Sequence, residues 1–105
     1  MKYKVFRTET ADAQIRKLIL YAAENFGKEV SLEKLEALEQ NLLDLGLYLQ
    51  KGVVPRYLTL KRQEYKVLIL EKNLVFYKVN EEKREITVYA VVDQRQDYLN
   101  IIRGL

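Results

Sequence analysis

Residues 51–66 gather five cations, Lys51, Arg56, Lys61, Arg62 and Lys66, against a single carboxylate, Glu64. Cations collected in this way raise the local potential and draw phosphates. They equally suit the solvated face of an ordinary element, and charge pattern alone leaves the two readings level. The chain contains no cysteine, so it makes no disulfide and offers no thiolate. It contains no histidine either. That removes the commonest general base, the commonest metal ligand and every imidazole-containing triad. Composition thus argues against a zinc centre or a serine protease, and no metal or other cofactor is expected. Any acid–base work falls to Lys, Arg, Tyr, Asp or Glu.

These side chains belong to a chain of 105 residues, 49% hydrophobic and 31% charged. Such a balance describes a folded domain with an apolar core and excludes extended disorder. One domain over residues 1–105 is expected at this length. The net charge of +3 is mild, and its positive excess lies in the second half. Apolar runs are too short to cross a bilayer, and Met1 to Arg7 lacks the apolar stretch of a signal peptide. A cytoplasmic location without membrane contact is expected.

The elements that must position the cations divide into a helical half and a stranded half. Tyr3 to Thr8 is β-prone and reads as a strand. Thr8 or Thr10 can cap a helix on which Ile15, Leu18, Ile19, Ala22, Ala23 and Phe26 recur at helical spacing. Gly27 suits the left-handed position that ends it. A second helix follows, capped by Ser31 with Val30 and Leu35 as a staple, or starting earlier at Lys28. Its stripe of Leu35, Leu38, Leu42 and Leu45 reads as core packing, and Gly46 as its stop. The short link makes the pair an antiparallel hairpin. Gly52 and Pro55 mark the junction between the halves.

Three strands follow, Tyr65 to Leu70, Leu74 to Asn80 and Glu85 to Val92, joined by short turns into a meander. Alternation at Leu58 and Leu60 allows an extra short strand before them. Ile86, Val88, Ala90 and Val92 should share one face of the last strand, opposite Glu85, Thr87, Tyr89 and Val91. One sheet face would then pack on the helices while the other is more polar. From Asp93 onwards a helical turn or tail is expected. The fold class is therefore α+β: an N-terminal strand, a two-helix antiparallel hairpin, then a three- to four-stranded antiparallel meander, in two layers.

Taken in order, Tyr65-Lys66-Val67-Leu68, Leu74-Val75-Phe76-Tyr77-Lys78-Val79, Ile86-Thr87-Val88-Tyr89-Ala90-Val91-Val92 and Asp93-Gln94-Arg95-Gln96-Asp97-Tyr98 resemble the C-terminal half of the RelE/ParE toxins. Residues Ile15 to Gly27 are similar to that family's first helix. The resemblance spans nearly the whole chain, through order, spacing and length rather than one diagnostic motif. It implies the toxin fold, growth inhibition within a type II toxin–antitoxin system, a link to plasmid stabilization and a cognate antitoxin protein as partner. It also implies one of two targets. RelE-like members cut mRNA on the ribosome, whereas ParE-like members inhibit DNA gyrase without cutting RNA.

Metal-free RNA cleavage needs a base for the ribose 2′-OH, cations for the phosphorane charge and an acid for the leaving oxygen. By the resemblance, Arg95 matches the family arginine beyond the last strand, and Lys66 stands where the family carries arginine after tyrosine. Arg62 and Tyr98 complete the set that a nuclease would use, Tyr98 as proton carrier or base-stacking platform. Arg56, Lys61, Arg62, Lys66 and Arg95 are the candidates for contact with nucleic acid or a protein target. Each has a bland alternative: Arg95 pairing with Asp93 or Asp97, Tyr98 anchoring a tail, and the lysines as surface charge. Two departures weigh against a nuclease. Leu74 replaces the arginine that opens the corresponding strand in the RelE-like branch, and Asp93 replaces a histidine. A ParE-like toxin directed at gyrase is the favoured expectation. A ribosome-dependent endoribonuclease and a non-toxic nucleic-acid-binding module are the alternatives.

Overall fold

The computed structural model describes residues 2–47 and 58–94, the side chains of Leu58 and Thr59 aside. Strand β1 spans Lys4–Arg7, helix α1 Glu9–Phe26 and helix α2 Lys28–Leu47. A short helix α3, Leu58–Arg62, precedes β2 (Lys66–Ile69), β3 (Asn73–Asn80) and β4 (Glu85–Asp93). The result is the expected α+β arrangement, with the helical hairpin packed on one face of a sheet ordered β1-β4-β3-β2. The meander β2-β3-β4 is antiparallel, and β1 joins its β4 edge in parallel. None of the described helices is long and apolar enough to cross a membrane.

Thr8 caps α1: its Oγ1 accepts from the Ala11 N–H at 3.1 Å. The stripe buries Ala11, Ile15 and Ala22, with Leu18 and Ile19 packed against the same cluster. Gly27 alone joins the two helices. Its φ of 94° is positive as expected, but its ψ of 167° is extended rather than left-handed helical, a region open essentially to glycine. Its N–H donates to the Ala23 carbonyl and its own carbonyl accepts from Ser31, so one residue ends α1 and starts α2. Helix α2 therefore begins at Lys28. Ser31 is not its cap but lies buried in the first turn, with Oγ donating to the Lys28 carbonyl at 2.7 Å.

Leu38, Leu42 and Leu45 are buried as the leucine stripe predicts. Gly46 does not stop the helix. It lies inside α2, where the Tyr3 N–H donates to its carbonyl at 2.8 Å. A Cβ at this position would meet the Tyr3 carbonyl oxygen, so glycine is what lets β1 cross so close.

Two further expectations change. Residues 58–62 form a helical turn and not an extra strand, because period-two alternation over so few residues does not separate strand from helix. The sheet face away from the hairpin is also less polar than expected, although Lys78 and its pair partner Thr87 lie on it. A second apolar cluster, Leu60, Tyr65, Val67, Phe76, Ala90 and Val92 with Leu74 and Tyr89, covers the side away from the hairpin. A β-bulge is responsible in part. Phe76 pairs with Ala90 and Tyr77 with Val88, leaving Tyr89 as the extra residue. The alternation of β4 shifts there: Ile86 and Val88 join the hairpin-side cluster, Ala90 and Val92 the second one, and Val91 returns to the first. Beyond Arg7, β4 outruns its partner strand, and the start of α1 takes over. Thr8 Oγ1 donates to the Tyr89 carbonyl at 3.3 Å, and the Val91 N–H donates to Gln14 Oε1 at 2.7 Å.

Candidate functional site

The second sheet face gathers the chemistry that the described residues offer. Helix α3 sets Leu60 into the second cluster, and a tight turn then feeds β2: Glu64 N–H donates to the Lys61 carbonyl and Tyr65 N–H to that of Leu60. Glu64 takes a φ of 64° to make this turn. Lys61 and Arg62, in the last turn of α3, remain exposed beside it.

Tyr65 is buried, and its ring meets Tyr89 edge to face at 5.5 Å between centroids. The Lys78 ammonium lies 4.5 Å from the Tyr65 ring centroid and 5.4 Å from that of Tyr89. This is a cation held on two aromatic faces, an attraction of about 0.5–1 kcal/mol at a partly exposed site. Tyr89 alternates with Val88 along β4 and so lies on the same face as Lys78 and Tyr65. Burial first, and then the neighbouring Tyr89 hydroxyl, raise the Tyr65 phenol above its ordinary value. A phenol so placed keeps its proton, which makes it a hydrogen-bond donor rather than a base at neutral pH.

The predicted residues do not all meet here. Lys61 and Arg62 are exposed in α3, just before the turn that leads to Tyr65. Lys66 follows Tyr65 in β2 and so projects to the opposite, hairpin-side face, half-buried. Arg56, Arg95 and Tyr98 lie outside the described residues. Leu74, where the RelE-like branch carries arginine, packs against the second cluster. Asp93 closes β4 half-buried, with Gln94 N–H donating to the Lys72 carbonyl just beyond it. No group of three or more acidic side chains suited to a metal occurs among the described residues. Sequence reasoning missed Lys78 and Tyr89 as partners of Tyr65. Both were within reach, since Leu74, Phe76 and Lys78 alternate onto one face of β3 and Tyr89, alternating with Ile86 and Val88, falls on that face of β4.

A family model described as the ParE toxin of the type II toxin–antitoxin system parDE matches residues 5–98. The chain belongs to this family. No curated protein matches the sequence significantly. Among solved structures, a chain of the chromosomal ParDE toxin–antitoxin system from P. aeruginosa superimposes with a TM-score of 0.71 at 15% identity, covering 88% of this chain and 96% of that one. A chain of the RelBE2 toxin–antitoxin complex from Mycobacterium tuberculosis gives 0.67 at 17% identity, covering 90% and 100%. At such identities the ParE-family chain shares a fold with both neighbours, and fold leaves the target open.

Proposed function

We propose that this ParE-family chain is a cytoplasmic toxin, one domain over residues 1–105, that arrests growth by binding DNA gyrase and is neutralised by a cognate antitoxin. The observation that carries the choice of target is Leu74. Where an RNA-cleaving relative would aim a guanidinium at phosphate, this chain has an aliphatic side chain packed against the apolar cluster of the second face. Asp93, a carboxylate, stands at the other altered position and would oppose a developing phosphorane charge. Binding requires surface rather than proton transfer, and Lys61 and Arg62 offer exposed cations just before the turn that leads to Tyr65 and its contacts with Lys78 and Tyr89. We place Arg56, Lys66 and Arg95 in the same binding role. The antitoxin follows from the neighbouring structures, which come from a toxin–antitoxin system and a toxin–antitoxin complex.

The test is induced expression in bacteria with separate pulse labels for DNA and protein synthesis. Replication should stop first, with broken chromosomes. Translation stopping first, with mRNA cut within codons, would instead assign ribosome-dependent cleavage to Lys66, Arg62, Arg95 and Tyr98. Unaffected growth would leave a nucleic-acid-binding module whose affinity falls steeply with salt.

A further inference from the structure

The outer surface of α1 carries a run of residues that suits a copy of itself. Thr10, Ala13, Lys17, Leu20, Tyr21 and Glu24 recur at helical spacing and all are exposed, so they form one stripe turned away from buried Ala11, Ile15 and Ala22. Leu20 is 61% exposed and Tyr21 58%, two large hydrophobic side chains held together in water at the middle of the stripe. Lys17 lies one turn before them and Glu24 one turn after. Among the described residues neither charge is bridged to an opposite one within the chain. Towards the start of the helix, small Thr10 and Ala13 leave a groove along the stripe, lined also by Lys17 and Leu20, in which a second helix can lie close.

We propose that the chain pairs with a second copy of itself through this stripe, the two α1 helices running antiparallel about a two-fold axis. The order of charges selects this occupant. Along the stripe the sequence runs basic, hydrophobic, acidic, and an antiparallel copy presents the same order reversed. An axis at Leu20 and Tyr21 then sets Lys17 of each copy beside Glu24 of the other and packs the four hydrophobic side chains together. A parallel copy would set lysine on lysine and glutamate on glutamate. Helix α2 is unsuited to the same role, because its exposed Glu29, Glu33, Glu36 and Glu39 would repel their own copies. One helix pair buries less than the roughly 1,200 Å² of a standard stable interface, so the dimer is weak and dissociates in the micromolar range. The pairing is independent of the target proposed above and leaves the second sheet face, on the side away from the hairpin, open in both copies.

Sedimentation equilibrium of the purified chain from about 5 to 500 μM should show the mass rising from one copy to two. Lys17→Glu should weaken the dimer at least about tenfold, because each Glu24 then faces a carboxylate, and adding Glu24→Lys to it should restore the dimer to within about threefold of the parent. Leu20→Gln should also weaken it at least about tenfold. All three positions are exposed, so these variants should keep the parent melting midpoint. A chain that stays single at the highest concentration overturns the proposal, as does a dimer that Leu20→Gln leaves unchanged. A dimer weakened by Lys17→Glu but not restored by the double change overturns the antiparallel order. A single chain in which Leu20→Gln abolishes growth arrest, or its relief by the antitoxin, assigns the stripe to the target or the antitoxin and likewise overturns self-pairing.

Discussion

Replacing Gly46 with alanine should destabilise the fold, although the residue sits within a helix. In an exposed helix interior the exchange would stabilise by about 1 kcal/mol, because alanine forms helix better than glycine. Here the added Cβ runs into the Tyr3 carbonyl oxygen and comes within 3.3 Å of a Val5 methyl. The contact is with main chain, so it is relieved only by moving β1 away from α2. Overpacking of this kind costs about 1–3 kcal/mol. Displacing β1 also weakens the 2.8 Å hydrogen bond from Tyr3 N–H to the Gly46 carbonyl, about another 1 kcal/mol. Set against the helix gain, the net loss is about 1–3 kcal/mol, or roughly 4–20 °C in Tm for a domain of this size. Urea and thermal unfolding, followed by far-ultraviolet circular dichroism, read it directly. An unchanged or raised midpoint would refute the reasoning, since it would mean that α2 and β1 do not approach through this glycine.

Four further outcomes are expected. Gly27→Ala meets no neighbouring atom, so its cost comes from the φ of 94° alone and should be about 1–3 kcal/mol by urea unfolding. Thr8→Ala removes the α1 cap together with a hydrogen bond to the Tyr89 carbonyl, and should lower stability by about 1–2 kcal/mol in the same assay. The raised Tyr65 phenol favours the folded state while it is protonated. That contribution is therefore full below the ordinary tyrosine value of about 10 and is lost as pH rises through the higher folded value; Tyr65→Phe should flatten this alkaline limb of the stability–pH curve. The double change Lys61→Ala with Arg62→Ala should leave the melting midpoint within about 0.5 kcal/mol of the parent, both side chains being exposed, yet reduce growth arrest on induction.

Local rules carried much of the architecture. Helical periodicity placed both helices and their buried leucines, because a core-facing stripe must repeat every three or four residues. The Thr8 cap and the two hairpins followed from side-chain and turn chemistry that acts over a few residues. Absent histidine and cysteine narrowed the chemistry before any coordinate was known. The candidate site was legible only in part. Lys61 and Arg62 lie exposed in the last turn of α3, before the turn that leads to Tyr65, but Lys66 lies on the other sheet face from Tyr65, since successive strand residues alternate regardless of their charge.

What the sequence by itself determined, then, is the α+β element order, the inward stripes of α1 and α2, and the chemistry the chain must do without. Tertiary structure decided the rest. It made β1 a parallel edge of the meander, kept Gly46 within α2 so that Tyr3 could bond to it, and turned residues 58–62 into a helix that carries Leu60 to the second cluster. It also set the bulge at Tyr89, which shifts the alternation of β4 and carries Ala90 and Val92 to the second cluster. The physical reason is common to all four. Periodicity and capping are properties of neighbours along the chain, whereas register, bulges and close crossings depend on which distant strand or helix lies alongside, and one residue of slip reverses every face that follows.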